Sequence, residues 1–197
     1  HSAYDGFLGI TVARASGNSK IIAVGGFDNY IRLLLKNDKK WTVLTELLHE
    51  TSFQNQQSAT IYIENGSQFD LGDPAQLKLK DSGEKGIKDL KWAPGDKYLA
   101  SISSQTPSAL FIWNEETISL AFVIIFLSPI VKFEWSSKEE SLLITTGSGF
   151  ITLWSPSKDP VMIHSTDLMR VQDFIWGSDG QTFAVIDRQD GTLAIAA

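Results

Sequence analysis

The chain of 197 residues contains no cysteine. That excludes disulfides, thiolate metal sites and cysteine nucleophiles together, and it fits a reducing compartment. Histidine is nearly as scarce: His1, His49 and His164 lie far apart and share no metal-ligand spacing. Long apolar runs are missing too. The longest, residues 118–127, is interrupted by Ser119 and stopped by Pro129, whereas a membrane-spanning helix needs about 20 apolar residues. Its β-branched and aromatic content reads as a buried strand. Positive charge is in deficit, with 17 Lys and Arg against 23 Asp and Glu and a formal net charge of −6. A surface devoted to nucleic acid or to a membrane is therefore not expected. His1-Ser2-Ala3-Tyr4-Asp5-Gly6 has neither the basic nor the apolar segment of a signal peptide.

Aromatic residues are plentiful, at 11% with six Trp and eleven Phe, which argues against extended disorder. They are also periodic. Trp92, Trp135 and Trp176 each end an alternating segment, and they recur at intervals of 43 and 41 residues. A polar turn follows each of them, then a short apolar segment at 98–102, 142–146 or 183–186. A third segment ends in Trp113 and again in Trp154, 41 residues apart. An upstream copy places its segments at 8–13, 21–25, 30–34 and 41–47.

A period of about 40–45 residues with four short strands is that of a β-propeller blade. A single four-stranded sheet has two apolar faces and cannot cover both, and stacking sheets around a ring does so. The expected fold class is therefore all-β, built of four-stranded antiparallel propeller blades at about 7–49, 86–127, 130–165 and 171–197. The last unit lacks an outer strand. Seven such units, the usual ring, exceed this length, so the chain is expected to be part of a longer protein.

Residues 50–85 break the period with a polar stretch. Within it 59–63 reads as one extra strand and 76–79 as another. Connections of this kind emerge on the face that carries the turns between second and third strands. A partly ordered loop decorating that face is expected.

No catalytic constellation stands out. Gly147-Ser148-Gly149 lacks the Lys and helix of a phosphate cradle and reads as a turn. Asp187-Arg188-Gln189-Asp190-Gly191 lacks the ligand spacing of a calcium loop. Lys36-Asn37-Asp38-Lys39-Lys40 reads as a solvated hairpin tip. No catalytic residue, metal, cofactor or small-molecule substrate is expected. Rigid propellers present loops on one face, where partners bind. Candidates for that face are Phe27, Tyr30 and Arg188, with Phe53, Tyr62 and Phe69 from the polar stretch. Aromatic residues in a polar context either anchor a partner or pin their own loop, and the sequence leaves both readings open.

The blades resemble WD repeats. Trp113-Asn114 and Trp154-Ser155 stand where that family has its Trp-Asp dipeptide. Asp28 and Asp190 match its turn aspartate, which in the family ties the turn to a histidine, and Leu48-His49 offers the only candidate. Several segments narrow the match: the run from Gly26-Phe27-Asp28-Asn29-Tyr30 to Trp41-Thr42, then Gly86-Ile87-Lys88-Asp89-Leu90, Leu127-Ser128-Pro129-Ile130-Val131 and Leu153-Trp154-Ser155-Pro156. Together they are similar to the C-terminal half of the WD-repeat protein eight family. That resemblance implies a non-enzymatic scaffold in the cytoplasm, at the centrosome or spindle pole of the cytoskeleton. It implies microtubule anchoring with a coiled-coil partner and microtubule-associated proteins. The competing expectation is a scaffold of another cytosolic assembly, including an RNA- or ribosome-associated one.

Overall fold

The computed structural model describes residues 9–38, 40–56, 58–165 and 169–196. Among them are seventeen strands and no helix. Strands β1 (Ile10–Ala15), β2 (Ile21–Gly26), β3 (Tyr30–Asn37) and β4 (Lys40–Leu48) form the first antiparallel sheet in that order. After β5 (Thr60–Asn65) and β6 (Gln68–Leu71) comes the second sheet, β7 (Ile87–Trp92), β8 (Tyr98–Ser103), β9 (Ala109–Asn114) and β10 (Ser119–Ile125). The third is β11 (Lys132–Trp135), β12 (Leu142–Thr145), β13 (Phe150–Ser155) and β14 (Lys158–His164). The fourth has three strands, β15 (Asp173–Trp176), β16 (Phe183–Asp187) and β17 (Thr192–Ala196). These are four consecutive blades of a propeller.

Burial follows from the stacking. Every residue of β8 is buried, because the second blade is covered on both faces. Leu99, Phe111 and Trp113 join a core shared with Ile31 and Leu33 of the first blade. Their alternates Tyr98, Ala100, Ile112 and Ile124 join a core with Phe133, Leu142 and Trp154 of the third. A third core joins Leu143 and Ile151 to Phe174 and Val185. By contrast β3 alternates between buried and part-exposed residues, as a half-covered strand does.

The periodic tryptophans have a physical reason. The indole of Trp92 donates a hydrogen bond to the carbonyl of Arg14 at 3.2 Å, across to the first strand of the preceding blade. Trp135 donates to the Lys91 carbonyl and Trp176 to the Glu134 carbonyl, both at 3.0 Å. Each first-strand Trp thus clasps the blade before it. Charged side chains on the same strands repeat the pattern, Lys91 with Glu134 and Lys132 with Asp173.

The segment between the first two blades differs from expectation. The second extra strand is Gln68–Leu71, not 76–79, where only an isolated bridge joins Ser52 to Lys78. The hairpin β5–β6 extends the second blade outward: β5 pairs in parallel with β10, giving a six-stranded sheet. Blades diverge away from the ring axis, and this segment fills the outer wedge. Phe53, Ala59, Ile61 and Leu79 are buried in the core between the first two blades. Burying a side chain such as Phe53 contributes about 2 kcal/mol. The segment is mainly packing, and its two ends meet the ring face at Gln105.

Candidate interaction face

In each blade the turn between second and third strands lies at the same end as the connection to the next blade. Those turns and connections make one face. Its first anchor is Asn29, buried in the turn between β2 and β3 with a left-handed φ of 64°. Asn tolerates that conformation because its short polar side chain bonds locally. Here the side chain reaches the next blade. Asn29 Oδ1 accepts from the Gly86 N–H at 2.7 Å and from Ser103 Oγ at 3.1 Å, and Nδ2 donates to Gln105 Oε1 at 2.8 Å. Gln105 in turn donates to Asp81 Oδ2 at 2.8 Å. Ser82 bonds to the Gln105 and Ser104 carbonyls. One asparagine therefore fastens two blades and the end of the connecting segment.

Below the face runs a buried polar chain. His49 Nε2 lies 2.8 Å from Ser101 Oγ, which accepts from Trp113 Nε1 at 2.8 Å. Burial among Phe111 and Trp113 drives the His49 pKa down to about 3, so the ring is neutral at ordinary pH. His49 is thus tied to a serine of the second strand and not to Asp28. Asp28 instead accepts from Arg32 at 2.7 Å and from the Tyr30 N–H at 3.2 Å, and Arg32 Nε also pairs with Glu46 at 2.8 Å. Burial pushes the Asp28 carboxyl up, but Arg32 and the Tyr30 N–H together hold it below its ordinary value.

The third blade has lost this chain. Ile144 occupies the register position of Ser101, two residues beyond the partner of the third-strand Trp. Phe126, one residue past the outer strand of the second blade, stands where His49 does past that of the first. Trp154 is buried with Nε1 unpartnered, packed edge-on to Phe122 at 4.9 Å.

The sequence candidates are dispersed. Phe27 is 50% exposed on the face, and Tyr30 is half-buried beneath the Arg32 guanidinium at 5.5 Å. Phe53 is fully buried against Phe111, with ring centres 5.9 Å apart. Tyr62 is buried and donates to Asp159 of the third blade at 3.0 Å; burial pushes its pKa up to about 12. Phe69 packs edge-on to Phe126 at 5.6 Å. These three pin the connecting segment, Phe53 and Tyr62 buried and Phe69 half-buried. Asp190 is exposed in its turn. The buried carboxylate there is Asp187, which accepts from the N–H groups of Arg170 and Gln189 at 2.9 Å.

Sequence reasoning missed Asn29 and Ser101, whose partners include residues more than fifty positions away, and Asp187, which joins its own turn to Arg170. It also missed Leu127, 71% exposed where its N–H bonds Glu64 of the outer hairpin, and Val131, 56% exposed at the start of the third blade. Their connection was legible, but their outward orientation was not. Among the described residues no group of three His, Asp or Glu residues is placed to hold a metal.

No protein-family model matches the chain. It is similar to the mouse WD repeat-containing protein WRAP73, 24% identical over 222 aligned positions. That match covers 95% of this chain and 47% of the relative, so the chain spans about half the relative's length. The fold is similar to a chain of the mitotic checkpoint complex, with a TM-score of 0.57 at 16% identity, covering 94% of this chain and 50% of that one. It also resembles the β-propeller domain of Cps50 (Swd1) from Myceliophteria thermophila, with a TM-score of 0.58 at 11% identity and coverage of 95% and 55%. Chaetomium thermophilum Sqt1, solved bound to the N-terminus of ribosomal protein L10, gives 0.59 at 16% identity with coverage of 95% and 43%. These likenesses establish the WD-type propeller architecture.

Proposed function

We propose that the chain is part of a propeller that works by binding other proteins, as a scaffold at the centrosome or spindle pole that helps anchor microtubule ends through a coiled-coil partner. The observation that carries the binding role is the face itself. Asn29, the Trp clasps and the filled wedge hold the blades rigid, while Phe27, Leu127, Val131 and Arg188 stand exposed on the face. Rigid presentation of exposed apolar and charged groups lowers the ordering cost of binding. The motif resemblance supports the cellular setting, and the WD-repeat relative supports the scaffold role.

The test is capture from cells with the full-length protein, read by mass spectrometry alongside imaging of a fluorescent fusion. Deleting 51–85 would empty the wedge, so the variant should be Phe27→Ala with Leu127→Ser, both on exposed side chains. Coiled-coil spindle-pole proteins should be captured by the parent and lost in the variant, with the fusion at the pole. A diffuse fusion that captures ribosomal or RNA-associated proteins would replace this setting with the competing one.

A further inference from the structure

Between the third and fourth blades the face opens into a cavity of about 550 Å³ lined by Val131, Lys132, Gly147, Arg170, Gln172, Asp173 and Arg188. Its charge opposes that of the chain. Three cations line it against one carboxylate, on a protein of net charge −6. Asp173 is shared: Oδ1 holds Lys132 at 2.7 Å, while Oδ2 pairs with Arg188. Lys132 is further committed to the Phe174 carbonyl at 2.6 Å and lies over the Phe174 ring at 4.8 Å. The nearby Asp187 carboxylate is 1% exposed and occupied by backbone N–H groups of Arg170, Gln189 and Asp190.

That leaves Arg170 and Arg188 as the outward groups. Arg188 is 70% exposed even in its ion pair. Arg170 is exposed, and its guanidinium has no ion-pair partner among the described residues. Guanidinium groups match carboxylates with paired hydrogen bonds. Val131 at the same rim supplies an apolar seat beside them, 56% exposed.

We propose that this cavity is the docking site for an acidic peptide segment, with Arg170 and Arg188 taking its carboxylates and Val131 an adjoining apolar side chain. The proposal rests on the reading of this face as the partner-binding one and names the chemistry of the partner. An acidic protein gains little long-range attraction for such a segment, so the local cluster supplies recognition at close range.

The test is fluorescence anisotropy on the full-length protein with a labelled Glu- and Asp-rich peptide carrying one Leu, and with its Gln and Asn counterpart. The acidic peptide should bind and weaken with added salt, and the neutral one should not. Arg170→Ala with Arg188→Ala should weaken binding about tenfold. Gln172→Glu, which breaks no side-chain bond, should weaken it as well. Unchanged affinity in both variants would overturn the site, as would single-stranded RNA or polyphosphate displacing the peptide with no preference for carboxylates. Partner capture through Phe27 and Leu127 is read separately. Its failure with intact peptide binding would sink the cellular proposal and leave this site standing.

Discussion

Two tryptophans that hold the same place in successive blades should differ in what they contribute. Trp113 and Trp154 are both nearly inaccessible, at 4% and 1% exposed. Each touches two aromatic rings, His49 and Phe111 for Trp113, Phe122 and Trp135 for Trp154. Replacing either with Phe removes similar volume from a core, so the cavity and ring terms largely cancel between the two. The difference is polar. Trp113 Nε1 donates to Ser101 Oγ at 2.8 Å, whereas Trp154 Nε1 is buried without a partner. A buried hydrogen bond contributes about 1 kcal/mol, and a buried group left unsatisfied costs about 1–3 kcal/mol. Trp113→Phe forfeits the first, and Trp154→Phe relieves the second. Trp113→Phe should therefore destabilise more, by about 2–4 kcal/mol. The assay is urea unfolding of the full-length protein, comparing midpoints at unchanged slope. Equal losses, or a larger loss in Trp154→Phe, would refute the assignment of the polar chain to the second blade and not the third. A companion variant, Ile144→Ser, should give Trp154 Nε1 a partner at the position of Ser101, so that Trp154→Phe in that background becomes the more damaging change.

Removing the Asn29 side chain should destabilise by about 2 kcal/mol, because the buried Gly86 N–H loses its acceptor. Asn29→Gly should do less harm than Asn29→Ala in thermal melts, since φ is 64° there and Ala adds about 1 kcal/mol of strain. Gly25→Ala should loosen the first two blades by about 1–3 kcal/mol, since its Cβ would lie 2.6 Å from that of Ile87; native-state hydrogen exchange should report it locally in β2 and β7. Acid should act through His49. Its folded value of about 3 lies below the ordinary 6.5, so the unfolded chain takes the proton first. That contribution is complete above about pH 6.5 and is lost as pH falls, by at most about 1.4 kcal/mol per pH unit, and His49→Phe should flatten the profile. Asp173 acts lower. Lys132 first, then Arg188, hold it at about 2 from an ordinary 3.8, so its stabilisation is present above about pH 4 and lost toward pH 2. Asp173→Asn should remove that late loss, about 1 kcal/mol after solvent screening, in unfolding midpoints measured between pH 4 and 2.

The repeat was legible because each Trp that ends a first strand performs the same task, so its spacing records the blade period directly. Strand order was legible for the same reason: period-two alternation and polar turns are local signals. The placement of residues 50–85 was not. Parallel pairing of β5 with β10 joins residues about sixty positions apart, and nothing in either strand announces its partner. Phe53 and Tyr62 sit among polar neighbours in sequence yet beneath other blades in space, so local composition was a poor guide to their burial. The turn aspartates illustrate a subtler miss. Asp28 and Asp190 lie in the turns before third strands, but Asn29 and Asp187 make the bonds that bridge to the following blade or to the preceding connection. Side chains one to three residues apart in a turn point in different directions, and spacing alone does not choose among them.

The tryptophan clasps also impose a direction on assembly. Every indole reaches backward, from Trp92 to Arg14, from Trp135 to Lys91 and from Trp176 to Glu134. A ribosome emits the acceptor carbonyl roughly forty to eighty residues before its donor. Each emerging blade meets a docking edge already made, and no blade needs an unmade neighbour to complete its own clasp. Written into the chain in this sense, the period is a timetable as well as a geometry: at about 5–20 residues per second, successive clasps of adjacent blades come due every few seconds during synthesis.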